Sequence, residues 1–566
     1  MSEIQYGLFS SLLLVAIVLS RLICTRIGPC YRIKMTRTLL YCSVGVAVLV
    51  PRILFASIVF KAGIDGPYHR ALHDHFLEML WHSNFESLLI MFIQYASTYL
   101  SFGGNVYHVV IAFSISLLTS LLAVDIFCKL NFPTPYVLIT PILLSWMRMY
   151  AEFVWWDHHD VYIVFFSALF ISRFIDYARL PNLKNGMLLG VAAVLHMWIS
   201  PTNFIVLPVV FVLLIYLAKF FRANSFMRTC FSIATILIAI AFGQCFKTKL
   251  SSGIFAPSAV GSQLFTLGLF GHYSERSETE LDSLFLEANV PNWYRRCFTM
   301  TPNGKPESMR FHGANGTCFD FYDPSTSNCR GPNYNFTRSM VVDSSETSML
   351  ALLDRDIESA CTKPYLFTVK IPEVSTEFGY EYQKVSAKLI RAWLLGHPID
   401  VFRRSFFTNY PNYEFRGPPT IASGFFVPLL TNRFDFGEYL LPFRWVANAV
   451  KVFLMMLIIT FHLALAASIF IAVAPKFRTL LVSHIMGAPF SEVAIWTVLI
   501  VPKCIGIVIY CIAAGLEGER YWQYLSLNVA CISIFFLLWF SRKFEENYQK
   551  YLPTRSWLYQ KLKGSD

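Results

Sequence analysis

Residues 226–249 read FMRTCFSIATILIAIAFGQCFKTK. The run from Phe226 to Phe246 is long enough to cross a hydrocarbon core as a helix, with Arg228 near its start and Lys247 and Lys249 just beyond its end. Beyond Lys247 the composition switches. A long polar, cysteine-bearing stretch extends to Arg444 before apolar runs resume at Val446. The chain therefore reads as two apolar blocks separated by one polar block.

Working outward, apolar runs recur at Tyr6–Cys24, Thr38–Phe60, Val106–Cys128, Pro133–Tyr150, Val161–Ile175, Asn185–Ile199, Phe204–Phe220, Val446–Ala474, Ser491–Ala514 and Trp522–Phe540. With Phe226–Phe246 these make about eleven spans. Glu86–Phe102 is a further apolar stretch, expected to lie on or dip into the membrane surface. The whole chain is 55% hydrophobic and only 15% charged, where a soluble protein of this length carries closer to a quarter charged residues. The expected fold class is an α-helical polytopic membrane protein with one large lumenal domain, mixed α/β or irregular. Its expected units are residues 1–246 (N-terminal transmembrane module), 247–444 (lumenal domain), 445–540 (C-terminal transmembrane module) and 541–566 (basic cytoplasmic tail).

The net charge of +11 follows topology and excludes a nucleic-acid footprint. Arg21, Arg26, Arg32, Lys34 and Arg37 crowd one short loop, Lys219, Arg222 and Arg228 bracket a second, and Lys476 and Arg478 mark a third. By the positive-inside rule these loops are cytoplasmic. Glu3 precedes the first apolar run and the basic cluster follows it, so an uncleaved anchor with its N-terminus outside is expected. Alternation then puts Lys61–Asn105, Ala151–Asp160, Ser200–Asn203, Lys247–Arg444 and Gly515–Tyr521 on the outer side.

The outer polar block holds Cys297, Cys318, Cys329 and Cys361, an even set with three possible pairings, and the sequons at Asn315 and Asn335. Disulfides and glycans belong to an exoplasmic compartment, which points to the endoplasmic reticulum membrane. Glu278–Ala288, Ser344–Cys361 and Thr376–Leu395 read as helices, and Pro302–Asn335 as a cysteine-stapled loop.

Chemistry-bearing residues gather in the outer loops. The first reads Gly63-Ile-Asp65-Gly-Pro-Tyr68-His69-Arg70 and continues to His73-Asp74-His75. Asp65, held in a turn by Gly63, Gly66 and Pro67, could accept a proton, ligate a metal, or simply cap the helix that follows. The second reads Trp155-Trp156-Asp157-His158-His159-Asp160. Asp157 and Asp160 share a helical face and could take a divalent cation such as magnesium or manganese, with a polar interfacial cap as the alternative. The last loop is Glu517-Gly-Glu519-Arg520-Tyr521, where Arg520 suits a lipid phosphate or snorkels. Lys247, Lys249, Arg148 and Arg444 are cations at similar depth. His196 and His462 lie within apolar runs and read as polar residues buried in the bundle. No zinc-ligand spacing, nucleotide-binding glycine loop or Gly-x-Ser-x-Gly elbow is present.

Together these features resemble the membrane glycosyltransferases of the GT-C class, in Gly-Ile-Asp65-Gly-Pro-Tyr-His, in Trp-Trp-Asp157-His-His-Asp160, in the run from Gly186 to Ser200-Pro201 and in Glu517-x-Glu519-Arg520-Tyr521. The adjacent Asp-Glu of protein O-mannosyltransferases and the Trp-Trp-Asp-Tyr-Gly of oligosaccharyltransferases are not matched. The resemblance implies sugar transfer from a polyprenyl (dolichyl) phosphate donor to a lumenal protein, glycan or lipid. It also implies Asp65, Asp157 and Asp160 as catalytic residues. His69, Arg70, His158, His159, Lys247, Arg444, Glu519 and Arg520 become the substrate-contacting set. The alternatives from other classes are a non-catalytic subunit with partner subunits, or a transporter, which Arg52 and Arg148 within spans would suit.

Overall fold

The computed structural model describes residues 39–48, 71–82, 88–100, 106–145, 160–199, 203–221, 224–256, 269, 278–299, 318, 321–323, 326–342, 344, 347–367, 376–405, 457, 460–466, 489–512 and 527–538. Its first part is a helical bundle. In chain order the helices are α1 (Leu39–Val48), α2 (Phe76–His82), α3 (Leu88–Leu100), α4 (Val106–Lys129), α5 (Thr134–Ser145), α6 (Asp160–Arg179), α7 (Leu183–Ile199), α8 (Asn203–Phe220) and α9 (Asn224–Ser252). The apolar runs become helices because isolated backbone polar groups are costly in hydrocarbon, and a helix satisfies them within one segment.

α6 is the centre of the bundle. It packs on α4 and α7, and Tyr162, Phe174 and Tyr177 along it are fully enclosed. α8 and α9 pair beside α7, with Phe211 buried between neighbours. Outward faces remain apolar: Ile205, Val209, Val212 and Tyr216 on α8 are all exposed, as a lipid-facing stripe requires. α3 packs at the bundle edge, with Ile90 in the main core and Met91 turned to the segment around α2.

The polar block follows. It contains α10 (Glu278–Glu287), α11 (Asn292–Thr299), α12 (Tyr334–Val342), α13 (Thr347–Thr362), a 3-10 turn at Pro364–Phe367, α14 (Glu377–Gly396) and α15 (Pro398–Arg403). Among the described residues it has no strand, only the isolated Tyr322–Arg330 bridge, so the expected mixed α/β character gives way to helices and turns. The three expected helices are present as α10, α13 and α14, while α11 and α12 are additional. Trp293, Tyr294, Tyr382 and Trp393 form an aromatic core closed to solvent, and the Tyr294 hydroxyl meets Ser386 Oγ at 2.7 Å.

Two covalent and two polar devices order this core. Cys297 pairs with Cys318 and Cys329 with Cys361, which selects one of the three pairings. Thr376 Oγ1 accepts from Gly379 N at the start of α14. Beside it, buried Asp356 of α13 accepts from the backbone N–H groups of Glu377 and Phe378. Burial pushes the Asp356 carboxyl up to about 6, outweighing these donors, which favour its charged form.

α9 crosses the expected boundary at residue 246 without a break. It continues to Ser252 and stops where Gly253 adopts a left-handed φ of 75° and donates to Lys249 O. A Cβ at Gly253 would stand 3.3 Å from Lys384 Nζ, so the end of α9 rests on α14. The chain closes with α16 (Phe490–Ile512) and α17 (Leu527–Leu538). α16 packs on α8 and α6, and its last residue, Ile512, packs against the core of the polar block.

Among the described residues, Val161–Arg179, Asn203–Phe220, Ser232–Ser252 and Phe490–Ile509 are long and apolar enough to cross a membrane. Shorter apolar helices occupy four more of the expected spans: Leu39–Val48, Tyr136–Ser145, Leu183–Ile199 and Leu527–Leu538. The fold is that of a helical membrane protein. The expected span Tyr6–Cys24, most of Val446–Ala474 and the basic tail lie outside the described residues.

Candidate functional site

The segment before α3 and the polar block meet. Helix α2 carries His75 just before its start, then Glu78 and His82, residues spaced to fall on one helical face. Beside this stripe Met79, with Leu72 just before the helix, packs into a small apolar cluster with Met91 of α3. The polar face is received by the turn after α13. Lys363 Nζ donates to Glu78 Oε1 at 2.5 Å, and Tyr365 OH donates to Glu78 Oε2 at 2.5 Å. The Tyr365 ring stacks on His75 with centroids 3.7 Å apart, and Tyr380 OH of α14 donates to His82 O at 3.3 Å.

The electrostatics follow from these contacts. Hydrogen bonds from Lys363 and then Tyr365 hold the Glu78 carboxyl below its usual range, so it is an anionic clamp rather than a free base. Burial pushes the His82 imidazole down, and the positive charges of Lys363 and Lys247 push the same way against Glu78. Lys247, on α9, therefore belongs to this junction, and α9 contacts α2 directly. The junction fixes the end of the segment that Asp65, His69 and Arg70 immediately precede in sequence.

Of the residues expected from sequence, Lys247 is thus brought to the first loop. Asp160 is the first residue of α6. Asp65, His69, Arg70, Asp157, His158, His159, Arg444, Glu519, Arg520 and Asn315 lie outside the described residues. Asn335 is exposed near the start of α12, while Thr337 of its sequon is buried. Among the described residues no group of His, Cys, Asp and Glu could hold a metal ion, and the Asp157–Asp160 pair expected to do so falls largely outside them.

Two polar clusters lie within the bundle. His196 Nδ1 faces Ser167 Oγ at 3.3 Å and Asn203 Nδ2 at 3.2 Å, with Phe170 stacked on its ring, as a bundle-buried polar residue should be. At the C-terminal ends of α4 and α6, Lys129 Nζ reaches Asp125 at 2.6 Å and Asp176 at 2.8 Å. Ser172 links Lys129 to Asp125, Arg173 joins Asp176, and Arg179 donates to Lys129 O. Lys129, Asp125 and Asp176 satisfy one another at helix ends, which makes this cluster a staple between α4 and α6.

Sequence reasoning missed Glu78, His82, Lys363 and Tyr365. The spacing of His75, Glu78 and His82 was a legible signal of a polar helix face. Nothing in Lys363-Pro-Tyr365 announced its partner. The fold and junction together define a helical membrane protein with a disulfide-stapled polar block seated on its first loop. The chain matches no known family model, no characterised protein and no solved structure.

Proposed function

We propose that this protein is a membrane glycosyltransferase that moves a sugar from a polyprenyl (dolichyl) phosphate donor to an acceptor in the lumen of the endoplasmic reticulum. The observation that carries the reading is the clamp of α2 onto the polar block beside Lys247. It joins the segment that follows Asp65, a cation on a membrane-crossing helix and the block suited to select an acceptor. The two disulfides support a lumenal setting for that block.

In this mechanism Asp65 orients and deprotonates the acceptor nucleophile. The acceptor atom attacks the anomeric carbon, the bond from that carbon to the phosphate oxygen breaks, and the polyprenyl phosphate departs. Lys247, Arg444 and Arg520 stabilise the charge gathering on the phosphate, the largest electrostatic demand of the step. Asp157 and Asp160 assist, directly or through a divalent cation. The glycans at Asn315 and Asn335 and any partner subunits are part of the same lumenal proposal.

The test is transfer of radiolabel from dolichyl-phosphate-linked mannose or glucose to microsomal acceptors by the purified protein in nanodiscs. Label should move for one donor and should be lost in Asp65→Asn while the protein remains monodisperse. Absence of transfer from every donor, with no cross-linking of a photoactivatable polyprenyl phosphate, would overturn the reading.

A further inference from the structure

The polar block carries an apolar corner that the catalytic proposal does not use. The ends of α10 and α14 are tied together there by His397 Nε2 and Glu287 Oε2, 2.8 Å apart. Around this tie Leu286 is 76% exposed, Leu395 71%, Ile399 83% and Phe402 55%. The exposure is not loose packing. Val401 of α15 turns inward onto the domain core, and Asp400 accepts from buried Trp393 Nε1 at 2.8 Å and from Arg404 Nε at 3.0 Å. α15 is therefore fixed on the domain, with Ile399 and Phe402 left exposed.

We propose that this corner docks on the phospholipid surface, with Leu286, Leu395, Ile399 and Phe402 entering the boundary between headgroups and acyl chains. Two observations select lipid. Exposed Arg391 and Arg403 flank the apolar residues, the pattern of a surface that pairs apolar insertion with lipid phosphate. The same domain is also seated on membrane-crossing helices, since α9 ends against Lys384 of α14 and Ile512 of α16 packs on the domain core. Two such contacts tie the block to helices that are long and apolar enough to cross a membrane, so a lipid surface is the nearest extended apolar partner for a fixed apolar corner on it. The surface is distinct from the α2 junction and does not depend on sugar transfer.

The experiment uses the full chain in native membranes and in phospholipid nanodiscs. A photo-cross-linking benzophenone side chain replaces Ile399, Phe402 or Leu395 in separate variants, with exposed Glu358 of α13 as the control position. Non-reducing peptide mapping of Cys329–Cys361 verifies folding of each variant. Lipid adducts at positions 399 and 402, and their absence at 358, are expected. Adducts to a second copy, to another protein or to this chain itself would overturn the proposal, as would no adduct in any folded variant.

Discussion

Glu78 and Lys363 stand 285 residues apart in the chain, and their side chains meet at 2.5 Å. Residues that touch lie on one side of a membrane, so this pair puts the first loop and the polar block at the same end of the bundle. The basic loops had suggested that arrangement from charge alone.

Glu78→Gln removes the charge that receives Lys363 and weakens the bond from Tyr365. Both partners are exposed enough that global stability should change little. Local opening should increase: amide hydrogen exchange of 76–82 and 364–367 should rise together, with the bundle helices unchanged. Unaltered exchange in both segments would remove the clamp from the account.

His82 gives the junction a pH dependence with a definite sign. Its folded-state proton affinity is lowered from the ordinary 6.5, so the unfolded chain binds the proton more readily. The contribution is complete above 6.5 and is lost as pH falls below that value toward the lowered one. Exchange protection at 76–82, corrected for the intrinsic pH dependence of amide exchange, should therefore fall as pH drops below 6.5, and His82→Asn should flatten the response. Glu78 acts only at lower pH, because its own affinity is depressed.

Lys129→Met leaves Asp125 without a cation and Asp176 with Arg173 alone in a partly buried site. The loss should be about 2 to 3 kcal/mol, measured as thermal or denaturant stability in detergent. Replacing Asp125 by Leu in the same chain should recover part of it, since that removes a whole ion pair and leaves Asp176 with Arg173.

Cys329→Ser or Cys361→Ser should destabilise the polar block by about 2 to 4 kcal/mol. The effect should reach the first loop as well, because Cys361 pins the end of α13 just before Lys363 and Tyr365. Increased exchange at α2 in either variant is the diagnostic result. Loss confined to the polar block would mean that the turn holds its position without the bridge.

The bundle was largely legible because hydrophobic periodicity and span length are local quantities. The apolar runs at Val161–Ile175, Asn185–Ile199 and Phe204–Phe220 became α6, α7 and α8 with ends shifted by a few residues. α9 runs past Lys247 and Lys249, where the expected span ends, and its backbone geometry changes only at Gly253, because a helix does not stop where its composition turns polar. α11 is a short segment of mixed aromatic and charged residues, and Trp293 and Tyr294 along it are buried in the domain core. The candidate site was legible only in its sidedness. Lys247 was picked for its depth, but its proximity to α2 depends on tertiary packing that no spacing encodes.

The Cys329–Cys361 bridge and the clamp beside it also impose an order on biosynthesis. Glu78 leaves the ribosome 285 residues before Lys363, and at 5 to 20 residues per second that interval is roughly 15 to 60 s. Throughout it, the stripe of His75, Glu78 and His82 waits without its partner while helices α4 to α9 are synthesised. The first loop is thus the earliest part of the site to be made and among the last to be locked, so its completion waits on the turn that follows the Cys329–Cys361 bridge.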